Sequence, residues 1–103
     1  MKIKVENGIG IKKIEATGYS LKGVSVKGVI DRLELRINGN IVYTFANSER
    51  LSEFSDNNID IPLVGELEIR VFASDDTYEI VLFLQPYLFI SSVGAYMDLR
   101  LRA

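Results

Sequence analysis

The chain has 103 residues, 48% of them apolar, and a formal net charge of −2. That is enough for one domain with a modest core, and too apolar for a disordered polymer. Cysteine and histidine are both absent, which excludes disulfides, Ser–His and Cys–His nucleophilic pairs and Cys/His zinc sites within the chain.

Met1-Lys2-Ile3-Lys4-Val5-Glu6 alternates and predicts a short first strand. It lacks the apolar centre of a signal peptide, and no apolar run reaches the roughly 18–20 residues a membrane-crossing helix needs. The chain is therefore expected to be soluble, made in the cytoplasm and without an export signal. Asn7-Gly8 is a turn signal. Ile9, Ile11, Ile14 and Ala16 predict a strand with an irregularity at Lys12-Lys13. Leu21, Val24, Val26 and Val29, punctuated by Gly23 and Gly28, predict another that bends.

The clearest element comes next. Leu33, Leu35 and Ile37 alternate with Arg32, Glu34 and Arg36, the period of a half-buried strand. Asn38-Gly39 tolerates positive φ at both residues and fits a two-residue type I′ turn. Ile41, Tyr43 and Phe45 alternate back, although Val42 makes this strand apolar on both faces. Ser48 as an N-cap, Glu49 in the first turn and Leu51 and Phe54 at i,i+3 spacing predict one short helix. Asp56-Asn57-Asn58 reads as a polar turn, and Pro62 either places the strand at Ile59–Ile61 at an edge or ends it. Leu67, Ile69 and Val71 alternate again, Ser74–Thr77 turns, and the chain is apolar from Ile80 to Ile90 apart from Gln85-Pro86. Met97, Leu99 and Leu101 end it. About eight short strands and one short helix in a single domain, 1–103, make an all-β fold, an antiparallel sandwich or barrel.

Two features point toward function. Val81, Phe83, Tyr87, Leu88 and Phe89 lie in a stretch apolar on both faces, so they are expected either to contact another chain or to be covered by loops or the helix. Charge is also uneven. All six lysines (Lys2, Lys4, Lys12, Lys13, Lys22, Lys27) fall in residues 1–27 with two acids, while residues 28–103 hold six arginines and twelve acids. Pairing of basic with acidic strands accounts for this; a basic face for lipid head groups or nucleic acid is the functional alternative. Asp75-Asp76 and Asp56…Asp60 read first as turn residues, and neither has the ligand spacing of an EF-hand loop. Gly8-Ile9-Gly10 precedes a strand and is only a fragment of a dinucleotide fingerprint. Tyr19, Tyr43, Tyr78, Tyr87 and Tyr96 either fill half-buried strand positions or line a stacking platform. No cofactor is implied.

Residues 30–42, Ile30-Asp31-Arg32-Leu33-Glu34-Leu35-Arg36-Ile37-Asn38-Gly39-Asn40-Ile41-Val42, run on to the helix-like Ser48–Phe54 and then Ile61-Pro62-Leu63. This third of the chain resembles jelly-roll coat proteins of tailless, membrane-containing icosahedral viruses. In those proteins an alternating strand, Asn-Gly and an apolar strand lead into a short helix. The chain has room for only one small jelly roll, so it departs from the double-barrel coat proteins. The resemblance implies a single jelly-roll-like sandwich acting as a coat, vertex or minor capsid protein in a virion. Its partners would be copies of itself and other capsid chains, through Val81, Phe83, Tyr87, Leu88 and Phe89. The lysine-rich start would face lipid or nucleic acid. No dedicated small-molecule substrate and no catalysis are expected. The other reading is a carbohydrate- or ligand-binding sandwich that uses tyrosines, with or without calcium.

Overall fold

The computed structural model describes residues 3–86 and 99–101. Among them lie nine strands: β1 (Ile9–Glu15), β2 (Tyr19–Lys27), β3 (Arg32–Ile37), β4 (Asn40–Ala46), β5 (Glu53–Asp56), β6 (Ile61–Leu63), β7 (Glu66–Phe72), β8 (Glu79–Pro86) and β9 (Leu99–Leu101). All pair antiparallel, in two sheets. One has the order β1-β7-β3-β4. In the other, β2 pairs with β8 on one side and with β5 and then β6 on the other, and β9 lies beyond β8. The fold is an all-β sandwich.

Period-two alternation decides which side chains enter it. Leu33 and Leu35 of β3 and Leu67, Ile69 and Val71 of β7 point inward from the first sheet. Leu21, Val24 and Val26 of β2 and Ile80, Leu82 and Leu84 of β8 point inward from the second, and none of these is more than 3% exposed. Burying each such side chain contributes about 1.5–3 kcal/mol. Ile3, Ile30, Ile59, Leu63 and Tyr78 complete the core.

The β3–β4 hairpin turns as the sequence predicts. Asn38 and Gly39 have φ of 51° and 81°, and Ile37 pairs with Asn40 across a two-residue type I′ turn. The puzzle of Val42 is solved by register. Leu35 faces Tyr43 but Arg36 faces Ile41, so Val42 is the extra residue of a β-bulge. Val42 and Tyr43 both pack toward the core, while Ile41 turns outward and is 45% exposed.

Several expectations are corrected. Ile3–Val5 forms no strand; Glu6 and Ile9 form an isolated bridge around Asn7 and Gly8. β1 pairs without irregularity, so Gly10, Lys12 and Ile14 take the inward register and Ile9 and Ile11 face out. β8 runs through Gln85 and ends at Pro86. The helix at Ser48–Phe54 does not form, because Asn47 organises a different turn. Buried Asn47 donates from Nδ2 to Ile30 O (2.8 Å) and Leu51 O (2.9 Å), and its Oδ1 accepts the Leu51 N–H (2.8 Å). Arg50 N–H closes the turn on Asn47 O, and Arg50 itself has φ 57°, a conformation foreign to a right-handed helix. From Glu53 the chain is extended as β5, and Phe54 stacks on Phe45 with ring centroids 3.8 Å apart.

Asn47→Ala is expected to cost about 1–3 kcal/mol, since it strands buried backbone groups. Ser48→Ala should stay within about 0.5 kcal/mol, whereas a helix N-cap would cost about 1. Urea unfolding of both variants, with unchanged m-values, checks this.

Candidate functional site

Three surfaces can meet a partner: the outward face of each sheet, and the sheet edges. The outward face of the four-stranded sheet carries an ordered network of charge flanked by the exposed Ile9, Ile11 and Ile41. Register sets Ile9, Phe72, Arg32 and Ala46 in one row across β1, β7, β3 and β4. Ile11, Arg70, Glu34 and Thr44 form the next row, and Lys13, Glu68, Arg36 and Ile41 the third. Glu34 sits at the centre, only 5% exposed. It accepts bonds from Arg36 (2.7 Å from Nη2, 3.1 Å from Nε) and from Arg32 Nε (2.8 Å). Arg70 Nε donates to Glu68 at 2.5 Å, and Lys13 Nζ lies 4.0 Å from Glu68. The Arg36 hydrogen bonds, with help from Arg32 and against burial, hold the Glu34 carboxyl below its ordinary pKa. Glu34 is thus held as a carboxylate, the wrong state for a general acid at neutral pH.

The lysines do not gather on one face. Lys4 pairs with Glu6 (3.5 Å), Lys13 with Glu68 and Lys22 with Asp60 (2.9 Å). Lys27 lies opposite Glu53 on one side and Glu79 on the other. Lys12 is exposed at the β1 edge, in an inward register opposite Ile69. Lys2 lies outside the described residues. Strand pairing therefore sets Lys13 and Lys27 against acids of neighbouring strands.

On the second sheet, Val81 and Phe83 alternate with the core residues Ile80, Leu82 and Leu84 and so face outward. Val81 lies opposite Ser25 and is 8% exposed. Phe83 is half-buried opposite Gly23, and a Cβ on that glycine would sit 3.0 Å from the ring's Cδ2. Gly23 is the bed on which Phe83 lies. The sequence signal was a glycine inside a β pattern, which marks a bulge or close approach, and the register of β2 against β8 does shift between Leu21 and Gly23. Tyr87, Leu88 and Phe89, expected beside Val81 and Phe83, lie outside the described residues.

The tyrosines 19, 43 and 78 pack toward the core. Tyr43 donates to Asp56 Oδ2 (3.2 Å), and Tyr78 to the backbone oxygen of Ile3 (2.5 Å). Burial, with Asp56 adding to it, raises the Tyr43 pKa; burial and then Asp76 push Tyr78 up to about 12. Tyr87 and Tyr96 are outside the described residues. The acidic turns are turns: Asp56 Oδ1 accepts the Asn58 N–H, and Asp75 Oδ1 accepts the N–H and hydroxyl of Thr77. Among the described residues no three His, Cys, Asp or Glu side chains gather as a metal site, and no helix is long and apolar enough to cross a membrane. A cleft of about 190 Å³ lies between Phe45, Leu51 and Phe54, below the roughly 300–1,000 Å³ of small-molecule pockets. The chain matches no protein-family model, no curated protein and no solved structure.

Since the folded pKa of Glu34 lies below its ordinary 4.5, its ionised form stabilises the fold above that pH. The contribution is lost as pH falls through the folded value. Glu34→Gln is expected to cost about 1 kcal/mol at pH 7, the bond to half-exposed Arg32 being discounted for solvent screening. The difference from wild type should close as the pH falls below 4.5. Urea unfolding across that range reads it.

Proposed function

We propose that the protein is a structural β-sandwich that self-associates, with the role of a single jelly-roll coat, vertex or minor capsid protein in an icosahedral virus shell. The observation that carries this is β8. Ile80 through Leu84 are all apolar, and Val81 and Phe83 face away from the core. In a two-layer sandwich the outward face of a sheet ordinarily meets water. Here Val81 is already only 8% exposed within the chain and Phe83 is half-buried, so what is left for a second chain to cover is the exposed part of the Phe83 ring.

Strand order supports the same reading. β9 pairs with β8 at the place where the first strand of a jelly roll lies beside its last. With β5 and β6 together filling one place, β1 through β8 follow the order of the remaining strands. The arrangement reads as a jelly roll whose first strand stands at the end of the chain. Partners on this reading are copies of the chain and other coat chains. On this reading the lysine-rich first quarter of the chain would meet lipid head groups or nucleic acid inside such a shell.

Light scattering over a concentration series is expected to give a mass that grows in multiples of the 11.6 kDa chain. Phe83→Ser should keep the wild-type circular dichroism and shift the mass toward the monomer. A wild type that stays monomeric at every concentration defeats the proposal, and a Phe83→Ser chain that unfolds removes Phe83 from the interface and assigns it to the fold.

A further inference from the structure

The two edges of the four-stranded sheet are built differently. β1 carries Lys12 in an inward register and Lys13 in an outward one, and charges on an edge strand, inward-pointing ones above all, prevent edge-to-edge pairing. The opposite edge, β4, is Asn40-Ile41-Val42-Tyr43-Thr44-Phe45-Ala46. It has no charge, no proline and no glycine, and its composition is strongly β-prone. Among the described residues its pairing partner is β3 alone. We propose that β4 is a docking edge for the β4 strand of a second copy of this chain, joining two sheets into one across a two-fold axis. The proposal rests on the self-association inferred above and names its contact.

The occupant follows from charge and register. A two-fold antiparallel pairing sets each residue against a residue of the same strand, so any charge near the axis meets its own kind. On β1 that would juxtapose the amines of Lys12 and Lys13; on β4 there is no charge to oppose. The bulge at Val42 leaves Tyr43–Ala46 as the regular part of the strand. Tyr43 and Phe45 face inward there and Thr44 outward. Opposed residues must share a face, and centring the axis on Thr44 satisfies this. Thr44 then meets Thr44, and Tyr43 meets Phe45 on both sides of it, which are cross-strand pairings of favourable type. Both rings are already held within their own chain, Tyr43 by Asp56 and Phe45 by the stacked Phe54, so they enter the contact partly ordered.

The chain has no cysteine, so one introduced thiol reports the register. Opposed residues of an antiparallel pair are about 4.5–5.5 Å apart at Cα, within the reach of a disulfide. Thr44→Cys, incubated with oxidised glutathione, is expected to give a disulfide-linked dimer as the main product. Ile11→Cys on the β1 edge should remain largely unlinked. Thr44→Lys, at an exposed position, should keep the wild-type spectrum and at least halve the associated mass seen by light scattering. If the wild type associates and Phe83→Ser disperses it, yet Thr44→Cys stays unlinked and Thr44→Lys changes nothing, the β4 contact is overturned while self-association stands. A wild type that is monomeric throughout overturns both. An unlinked Thr44→Cys monomer that binds an unrelated extended peptide assigns the edge to a foreign strand and overturns the proposal.

Discussion

Everything in this fold hangs on register between strands that bury one face. The inward residues of β3 and β7 close against those of β2 and β8, and a slip of one residue in any of these strands would send its apolar set to water. The bulges show how tightly this is held. At Val42 and between Leu21 and Gly23 the chain inserts a residue. In each case the inward set on both sides of the insertion stays inward, and the outward set is what changes. Ile41 is exposed and Gly23 receives the Phe83 ring because the core has first claim on the alternation.

The outward faces carry the consequences. On the four-stranded sheet the outward positions of β3 and β7 carry charges of alternating sign, so that Glu34 faces Arg70 and Arg36 faces Glu68 across the strands, while Ile9, Ile11 and Ile41 lie exposed on the two edge strands. Within β3 and β7 the same carboxylates bind arginines two residues away. Isolated surface pairs contribute little, but Glu34 is nearly buried and bound by two guanidiniums, the geometry in which charge-assisted bonds count. That lattice specifies the face as solvated or polar-contacting. On the second sheet Val81 and Phe83 are set over Ser25 and Gly23, beside the charged row of Glu53, Lys27 and Glu79.

Local chemistry and period were legible in the sequence. Asn38-Gly39 declares its turn because the conformation it needs is written in two residues, and Leu67, Ile69 and Val71 declare a face by spacing alone. What was illegible depends on residues far apart. Ser48–Phe54 has the local marks of a helix, but Asn47 reaches the backbone of Ile30, 17 positions away, and the chain turns to suit that bond. Ile9, Ile11 and Ile14 read as one face with a defect. In fact Gly10 takes the inward position, because a Cβ there would come within 2.9 Å of Ile3 Cγ2 and 3.4 Å of the Tyr78 hydroxyl. Three segments converge on this glycine, the close approach that a glycine inside a strand pattern signals. For the candidate contacts, the two-faced character of β8 and the pairing of basic with acidic strands were visible in the sequence, whereas which acids meet Lys13 and Lys27 required the register.

The edges follow from the same physics. A sandwich leaves two ends to each sheet, and each end must be paired, covered or made unattractive to other strands. β1 meets this with lysine, and the β2 side of the second sheet meets it with two short strands, the second containing Pro62, which has no N–H to offer. β4 alone among these three carries neither charge nor proline, and its bulge limits only its first half. An edge so composed would endanger a monomer if nothing filled it. Beside the guarded β1 and β5–β6 edges, the unguarded β4 edge is most economically explained as an edge that has a partner, and a strand without charge accepts its own copy at no electrostatic cost.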